Sequence, residues 1–202
     1  TVTGTLSDVE TAYASDGLSG LGNEAITITE SITVLEANSV NALTTGVVTS
    51  DISTNDIDTL GDLTGDGNAY TITVTDESVS AASLNSLDDK TTVAVTVTSG
   101  TITGTVSSIN TAYASDGLSG LGSEDITVNS GTASVAEVND LAGLTTGTLT
   151  ATVTEGDMAT LAGLGSTAGA FTVNVTDTSI NAAALNTLDG KTTGTVTVNS
   201  ST

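Results

Sequence analysis

Residues 11–22 read TAYASDGLSGLG, and residues 111–122 read the same twelve letters. The agreement continues along the chain: Leu-Thr-Thr-Gly at 43–46 returns at 144–147, and Val-Thr-Asp at 74–76 returns at 175–177. The rare residues keep the register. The four aromatics fall on two equivalent positions, Tyr13 with Tyr113 and Tyr70 with Phe171, and the two basic residues, Lys90 and Lys191, are equivalent as well. The chain is therefore expected to be two copies of one unit, residues 1–100 and residues 101–202. Residues 1–7, TVTGTLS, match TITGTVS from Thr101, so the chain is expected to begin within a repeat array.

A shorter period lies inside each unit. In the second copy one segment starts at Ile126, the next at Thr148 and a third at Phe171. Each opens with alternating β-branched residues, as a strand does. A Ser/Thr/Asp/Gly cluster fit to cap a helix follows, then a short Ala/Leu/Asn/Glu stretch that favours helix, then a closing Gly or Thr-Thr-Gly. The apolar residues of the helical stretches recur three apart: Val135, Val138 and Leu141; Met158, Leu161 and Leu164; Leu185 and Leu188 with the smaller Ala184; Ile57, Leu60 and Leu63. That spacing over so few residues fits one or two helical turns. The fourth segment, residues 93–122, is longer and reads as one rung with an extra turn. About eight rungs of roughly 21 to 31 residues, each one strand and one short helix, predict an α/β fold: a right-handed solenoid with a parallel β-sheet, helices on its other face and one continuous interior. The competing fold is two tandem Ig-like β-sandwiches of about 100 residues each. The helix-like stretches at 80–87, 136–144 and 180–188 argue against it.

The plan is similar to leucine-rich-repeat solenoids, although the L-x-x-L-x-L-x-x-N motif is absent. The order strand, Thr-Asp, helix, Leu-Asn-x-Leu-Asp, Thr-Thr-Gly resembles the Thr-rich tandem repeats of giant bacterial surface proteins, notably cyanobacterial ones. The residues that carry this resemblance are 74–92 with 175–194, and 3–22 with 103–122, and it extends over nearly the whole chain. It implies an exported, secreted or cell-surface protein acting in adhesion, surface coating or motility. It also implies neighbouring repeats of the same parent chain as partners.

Twenty-four acidic residues face two lysines, a formal net charge of −22 at pH 7. Such a chain attracts cations and repels phosphate, so nucleic acid and anionic membrane surfaces are poor partners. No apolar run is long enough to span a bilayer, so membrane insertion is not expected. Cysteine is absent, and with it disulfides and thiolate metal sites. Mean hydropathy is +0.21, unlike a disordered acidic tail. Aromatics make up only 2% and proline is absent, which fits a thin core of Val, Leu, Ala and Thr.

With neither histidine nor cysteine, the usual base–nucleophile pairs are missing, and no enzyme is expected. The adjacent acids Asp56 with Asp58 and Asp88 with Asp89 could in principle cleave a glycoside. They read better as solvated loop and cap residues, since copy two places Gly190 where copy one has Asp89. No cofactor is expected beyond calcium, which takes oxygen ligands. Candidates are Asp62 and Asp66 in the loop GDLTGDGNA, whose counterpart lacks acids, and Asp16 with Glu24, which recur as Asp116 and Glu124. Calcium and glycans are thus the alternative partners, and ice binding by threonine rows is a further option. Tyr13, Tyr113, Tyr70 and Phe171 read as core. Lys90 and Lys191 read as helix-end cations beside Asp88 and Asp189.

Overall fold

A computed structural model describes residues 1–129, 131–165 and 169–199. In chain order the elements begin with β1 (Val2–Gly4), α1 (Leu6–Tyr13), β2 (Ile26–Ile28), α2 (Val34–Asn41), β3 (Val48–Asp51) and α3 (Ile57–Leu60). Next come β4 (Ala69–Thr71), β5 (Thr73–Val74), β6 (Ser78–Ser80), α4 (Ala81–Asp88), β7 (Val95–Val97), β8 (Thr101–Gly104) and α5 (Val106–Ala114). The chain continues with β9 (Leu118–Ser119), β10 (Asp125–Val128), α6 (Val135–Ala142), β11 (Leu149–Thr152), α7 (Met158–Leu161), β12 (Ala170–Val175), α8 (Ala182–Asp189) and β13 (Val196–Val198).

These elements form two compact units whose boundaries differ from the sequence repeat. The first comprises Thr1–Glu77, Ser83–Ser99 and Ser115–Gly120; the second comprises Ser78–Ala82, Gly100–Ala114 and Leu121–Thr202.

The first unit carries the sheet β1-β2-β3-β4 and the sheet β5-β7-β9. Its registers are Val2 with Ile26, Ile26 with Val48, Thr49 with Ala69, Thr73 with Thr96 and Val95 with Leu118. The second unit carries one sheet in the order β6-β8-β10-β11-β12-β13. Ser78 pairs with Thr101, Asp125 with Thr101, Ile126 with Leu149, Thr150 with Ala170 and Val173 with Val196.

Every one of these pairings is parallel, so each strand crosses over through the following helix or loop before its neighbour is laid down. The fold is α/β with parallel sheets and short helices. The Ig-like alternative is thereby overturned, because a sandwich of that type needs antiparallel sheets. The segment 93–122 is likewise not a single rung. It holds β7 and β9, which lie in the first unit, and β8 with α5, which lie in the second. The turn at residues 98–100 separates two strands rather than decorating one.

Strand side chains alternate. β3 and β11 read buried-exposed-buried-exposed, and β12 does the same over six residues. Ile26, Val48, Ile102, Ile126, Phe171 and Val173 are wholly buried, while threonines occupy the other face. In register, Thr3, Thr27 and Thr49 line up in one unit, and Thr103, Thr127 and Thr150 in the other. Both rows stop at an alanine, Ala69 and Ala170, so neither is a continuous threonine lattice. The expected stripe is buried on α6, as Val135, Val138 and Leu141, and α2 buries Val34, Ala37 and Val40; on α8 only Leu188 is buried, with Leu185 half-buried and Ala184 exposed. Tyr70 and Phe171 fill equivalent core positions with no exposure. Among the described residues no helix is long and apolar enough to cross a membrane.

Candidate functional site

Side-chain hydrogen bonds join one strand-and-helix segment to the next, and the acidic residues take part in them. In the turn after α2, the Thr44 hydroxyl donates to the Glu24 carbonyl at 2.6 Å and accepts from the Gly46 N–H at 2.9 Å. Thr145 does the same with the Glu124 carbonyl (2.5 Å) and the Gly147 N–H (2.9 Å). Thr192 repeats it with the Phe171 carbonyl and the Gly194 N–H. Close approach explains the glycine. A Cβ on Gly46 or Gly147 would lie 2.4 Å from the carbonyl oxygen of Glu24 or Glu124.

Glu24 and Glu124, two of the calcium candidates, are turned inward onto their own loops. Both Glu24 carboxylate oxygens accept from the Gly22 N–H, at 3.1 and 3.0 Å, and one also accepts from the Asn23 N–H. The Gly22 N–H is the main reason the Glu24 carboxyl sits below its ordinary pKa. Glu124, only 5% exposed, accepts from Gly122 and Ser123 in the same way and also from the Tyr113 hydroxyl. Burial first, and then this bond to a carboxylate, drive the Tyr113 phenol far above its usual range.

The other calcium candidates are scattered. Asp16 and Asp116 are exposed. Asp62 contributes its backbone carbonyl to the Asn38 amide at 2.8 Å, and Asp66, with a side chain 77% exposed, pairs with Lys90 at 3.3 Å. Among the described residues no three acidic, histidine or cysteine side chains are grouped to hold a metal ion.

Lys90 therefore reaches Asp66, in the loop after α3, rather than its neighbour Asp88. Lys191 donates at 2.6 Å to the carbonyls of Ala162 and Leu164, just past the end of α7. Lys191 thus serves the end of α7 rather than that of its own helix, whereas Lys90 reaches a loop carboxylate. Tyr13 and Tyr113 are half-buried rather than central to the core.

Four further acids were not legible as partners. The first N–H of α1 donates to Glu30 (2.9 Å), that of α3 to Asp76 (3.0 Å), that of α6 to Glu155 (3.0 Å) and that of α7 to Asp177 (2.7 Å). Each carboxylate meets a helix N-terminus from the following strand's end, where backbone donors and the helix dipole favour negative charge. Asp76 and Asp177 are equivalent in the two copies, the one sequence signal that could have singled them out. Asp56, considered above as half of a carboxylate pair, caps α3 by accepting from the Thr59 N–H at 2.9 Å, as Asp157 caps α7 from Thr160 at 2.8 Å.

Comparison with protein-family models, with curated proteins and with solved structures finds no match.

Proposed function

We propose that this chain is a structural or adhesive repeat segment of a large exported cell-surface protein, built as a solenoid. The observation that carries the reading is where the polar side chains go. Equivalent residues of both copies hold the adjacent rung: Thr44 and Thr145 grip a carbonyl, Asn38 and Asn139 grip the next loop, Asp76 and Asp177 cap the preceding helix. A polar inventory used for stacking suits a scaffold, because no rung buries its apolar face alone. The acidic surface keeps such arrays soluble and apart. Partners under this reading are neighbouring repeats, with glycans and calcium as secondary ligands of an exposed acidic, threonine-rich surface.

The test is localisation and size of the native polypeptide. An antibody raised against this chain is expected to label intact, unpermeabilised cells or the culture medium. On a gel it should detect a band far larger than 19.7 kDa. Labelling only after permeabilisation, with a band at that mass, overturns the proposal.

A further inference from the structure

A small polar pocket lies between the end of α2 and the loop before β4, wholly within the first unit. Its volume is about 160 Å³, and its lining includes Asn41, Thr45, Val47, Asp66, Gly67 and Asn68. Asn68 is the buried member, only 3% exposed. Its amide oxygen accepts from the Val48 N–H at 2.9 Å, and its amide nitrogen donates to Asn41 Oδ1 at 2.9 Å. The Asn41 side chain is thereby fixed, and among the described residues its own amide nitrogen donates to no protein atom. The same holds for the Gly67 N–H. Asp66 supplies the one carboxylate of the lining, and Lys90 pairs with it at 3.3 Å.

The fold does not require these side chains. Copy two keeps the framework, with Thr145, Thr146 and Gly147 where copy one has Thr44, Thr45 and Gly46. It replaces the polar residues together: Ala142 stands for Asn41, Thr167 for Asp66 and Gly169 for Asn68. The loop glycines go with them. Gly65 and Gly67 hold φ 77° and 78°, which residues with a Cβ rarely adopt, and copy two has Ser166 and Ala168 at those positions. Yet β10, β11 and β12 pair in the same register as β2, β3 and β4. A buried asparagine at best recovers the bonds it gave up to water, so the cluster in copy one calls for a reason other than folding.

The chemistry of the pocket selects its ligand. A metal ion would meet the Lys90 ammonium beside the single carboxylate, and a phosphate would meet Asp66 itself. A neutral group that both donates and accepts suits the mixture, and a sugar hydroxyl does both. We propose that this pocket binds one edge of a neutral monosaccharide unit. One hydroxyl donates to the Asp66 carboxylate, and its neighbour on the ring accepts from the Asn41 amide nitrogen. The volume lies below the roughly 300 Å³ at which drug-sized pockets begin, so one end of a ring enters rather than an oligosaccharide. No aromatic side chain lines the pocket, and so few contacts give a Kd of about 1–10 mM. The site gives the glycan partner named above a place, and it rests on that part of the reading alone, not on export or scaffolding.

The test is a titration of the whole isotope-labelled chain with the methyl glycosides of glucose, galactose and mannose, followed by amide chemical shifts. At least one glycoside is expected to move Gly67, Asn68 and the Asn41 side-chain amide saturably by about 100 mM, while Gly147 and Gly169 stay still. The double variant Asn41→Ala/Asp66→Thr carries the residues of copy two, whose strands pair in the same way, and should bind about tenfold more weakly or worse. Its spectrum away from the pocket reports that it is folded. Absence of saturable shifts with all three glycosides overturns the proposal, as do shifts that the double variant retains in full. Shifts confined to threonines of the sheet faces would keep a glycan partner and overturn this site. Calcium chloride that moves the same pocket signals at lower concentration than any glycoside would overturn it too, by assigning the pocket to a cation.

Discussion

The Asn38 side chain ties α2 to the loop after α3: its amide oxygen accepts from the Thr64 N–H at 2.7 Å and its amide nitrogen donates to the Asp62 carbonyl at 2.8 Å. Asn139 makes the same pair of bonds with Gly165 and Gly163. The two backbone groups belong to the loop just past the following helix, so one side chain fixes where that loop lies. Asn38→Ala removes both bonds, and the one the Thr64 hydroxyl donates to the same oxygen at 3.0 Å, at a half-buried position, and roughly 1–3 kcal/mol is expected from three hydrogen bonds of ordinary net worth. Asn38→Asp keeps the acceptor and loses the donor, so it should fall between. Urea denaturation measures this directly. Equal midpoints for Asn38→Ala and the wild type would show that the loop is held elsewhere.

Thr33 and Glu36 form a reciprocal cap on α2. The Thr33 hydroxyl accepts from the Glu36 N–H at 3.3 Å, and the Glu36 carboxylate accepts from the Thr33 N–H at 2.7 Å. Ser134 and Glu137 repeat it on α6. Helices of eight residues are too short to persist unaided, so the cap matters here more than in a long helix. Thr33→Ala and Ser134→Ala should each cost about 1 kcal/mol, whereas Thr33→Ser should be close to neutral. A Thr33→Ser variant as unstable as Thr33→Ala would locate the effect in the lost methyl rather than the lost acceptor.

How far the sequence carried is clearest at particular residues. The spacing of Val135, Val138 and Leu141 placed a helix where α6 lies, because a buried stripe leaves a period in the sequence. The alternation in residues 170–175 placed β12 for the same reason. The segment 93–122 misled because β7 and β8 are separated by only three residues, and a run of alternating β-branched residues does not reveal that its halves join different sheets. The partners of Glu30, Asp76, Glu155 and Asp177 lie 19 to 24 residues away. No local pattern links an acid to a helix start that far back in the chain, and a similar distance hid Asp66 from Lys90. For the calcium candidates, composition located oxygen-rich loops but not the orientation of Glu24, which depends on the backbone of Gly22.

Acid should weaken the caps with a definite sign. Bonds to the Thr33 and Ser134 N–H groups hold Glu36 and Glu137 below their ordinary pKa. Bonds to Thr59 and Thr160 do the same for Asp56 and Asp157. A carboxyl whose folded pKa is depressed contributes stability that is present above its unfolded value, near 4, and is lost as pH falls through the folded one. Net charge also vanishes near pH 4.1, which changes repulsion for every variant alike, so the informative quantity is a difference. The urea midpoint of the wild type should exceed that of Glu36→Gln/Glu137→Gln at pH 6, and the gap should narrow as pH falls below the unfolded carboxyl value. A gap that stays constant across this range would mean that ionisation of the two glutamates contributes nothing.

Calcium should act here as one divalent cation among others. Both carboxylate oxygens of Glu24 and of Glu124 already face backbone N–H groups, and an ion would have to displace those bonds. With a charge of −22, a diffuse cation atmosphere is expected to raise Tm modestly, and magnesium at the same concentration should raise it equally. A calcium-specific rise of several degrees, removed by Asp116→Asn or Glu124→Gln, would instead establish a site at that loop.

Tyr70 and Phe171 allow the core to be tested with the protein's own alternative residue. Both are wholly buried at equivalent positions, but the Tyr70 hydroxyl is buried without a hydrogen-bond partner among the described residues, and burial pushes its pKa up to about 12. A buried hydroxyl that has lost its bond to water costs about 1–3 kcal/mol. Tyr70→Phe therefore removes a penalty without opening a cavity, because the ring remains, and should leave stability unchanged or raise it by up to roughly that amount. Phe171→Tyr should do the reverse, inserting an oxygen where the other copy tolerates one only at a cost. Thermal unfolding of the two single variants and the exchanged pair decides the matter. Marked destabilisation by Tyr70→Phe would mean that the hydroxyl is bonded in solution, and the ring would then be held by more than apolar contact.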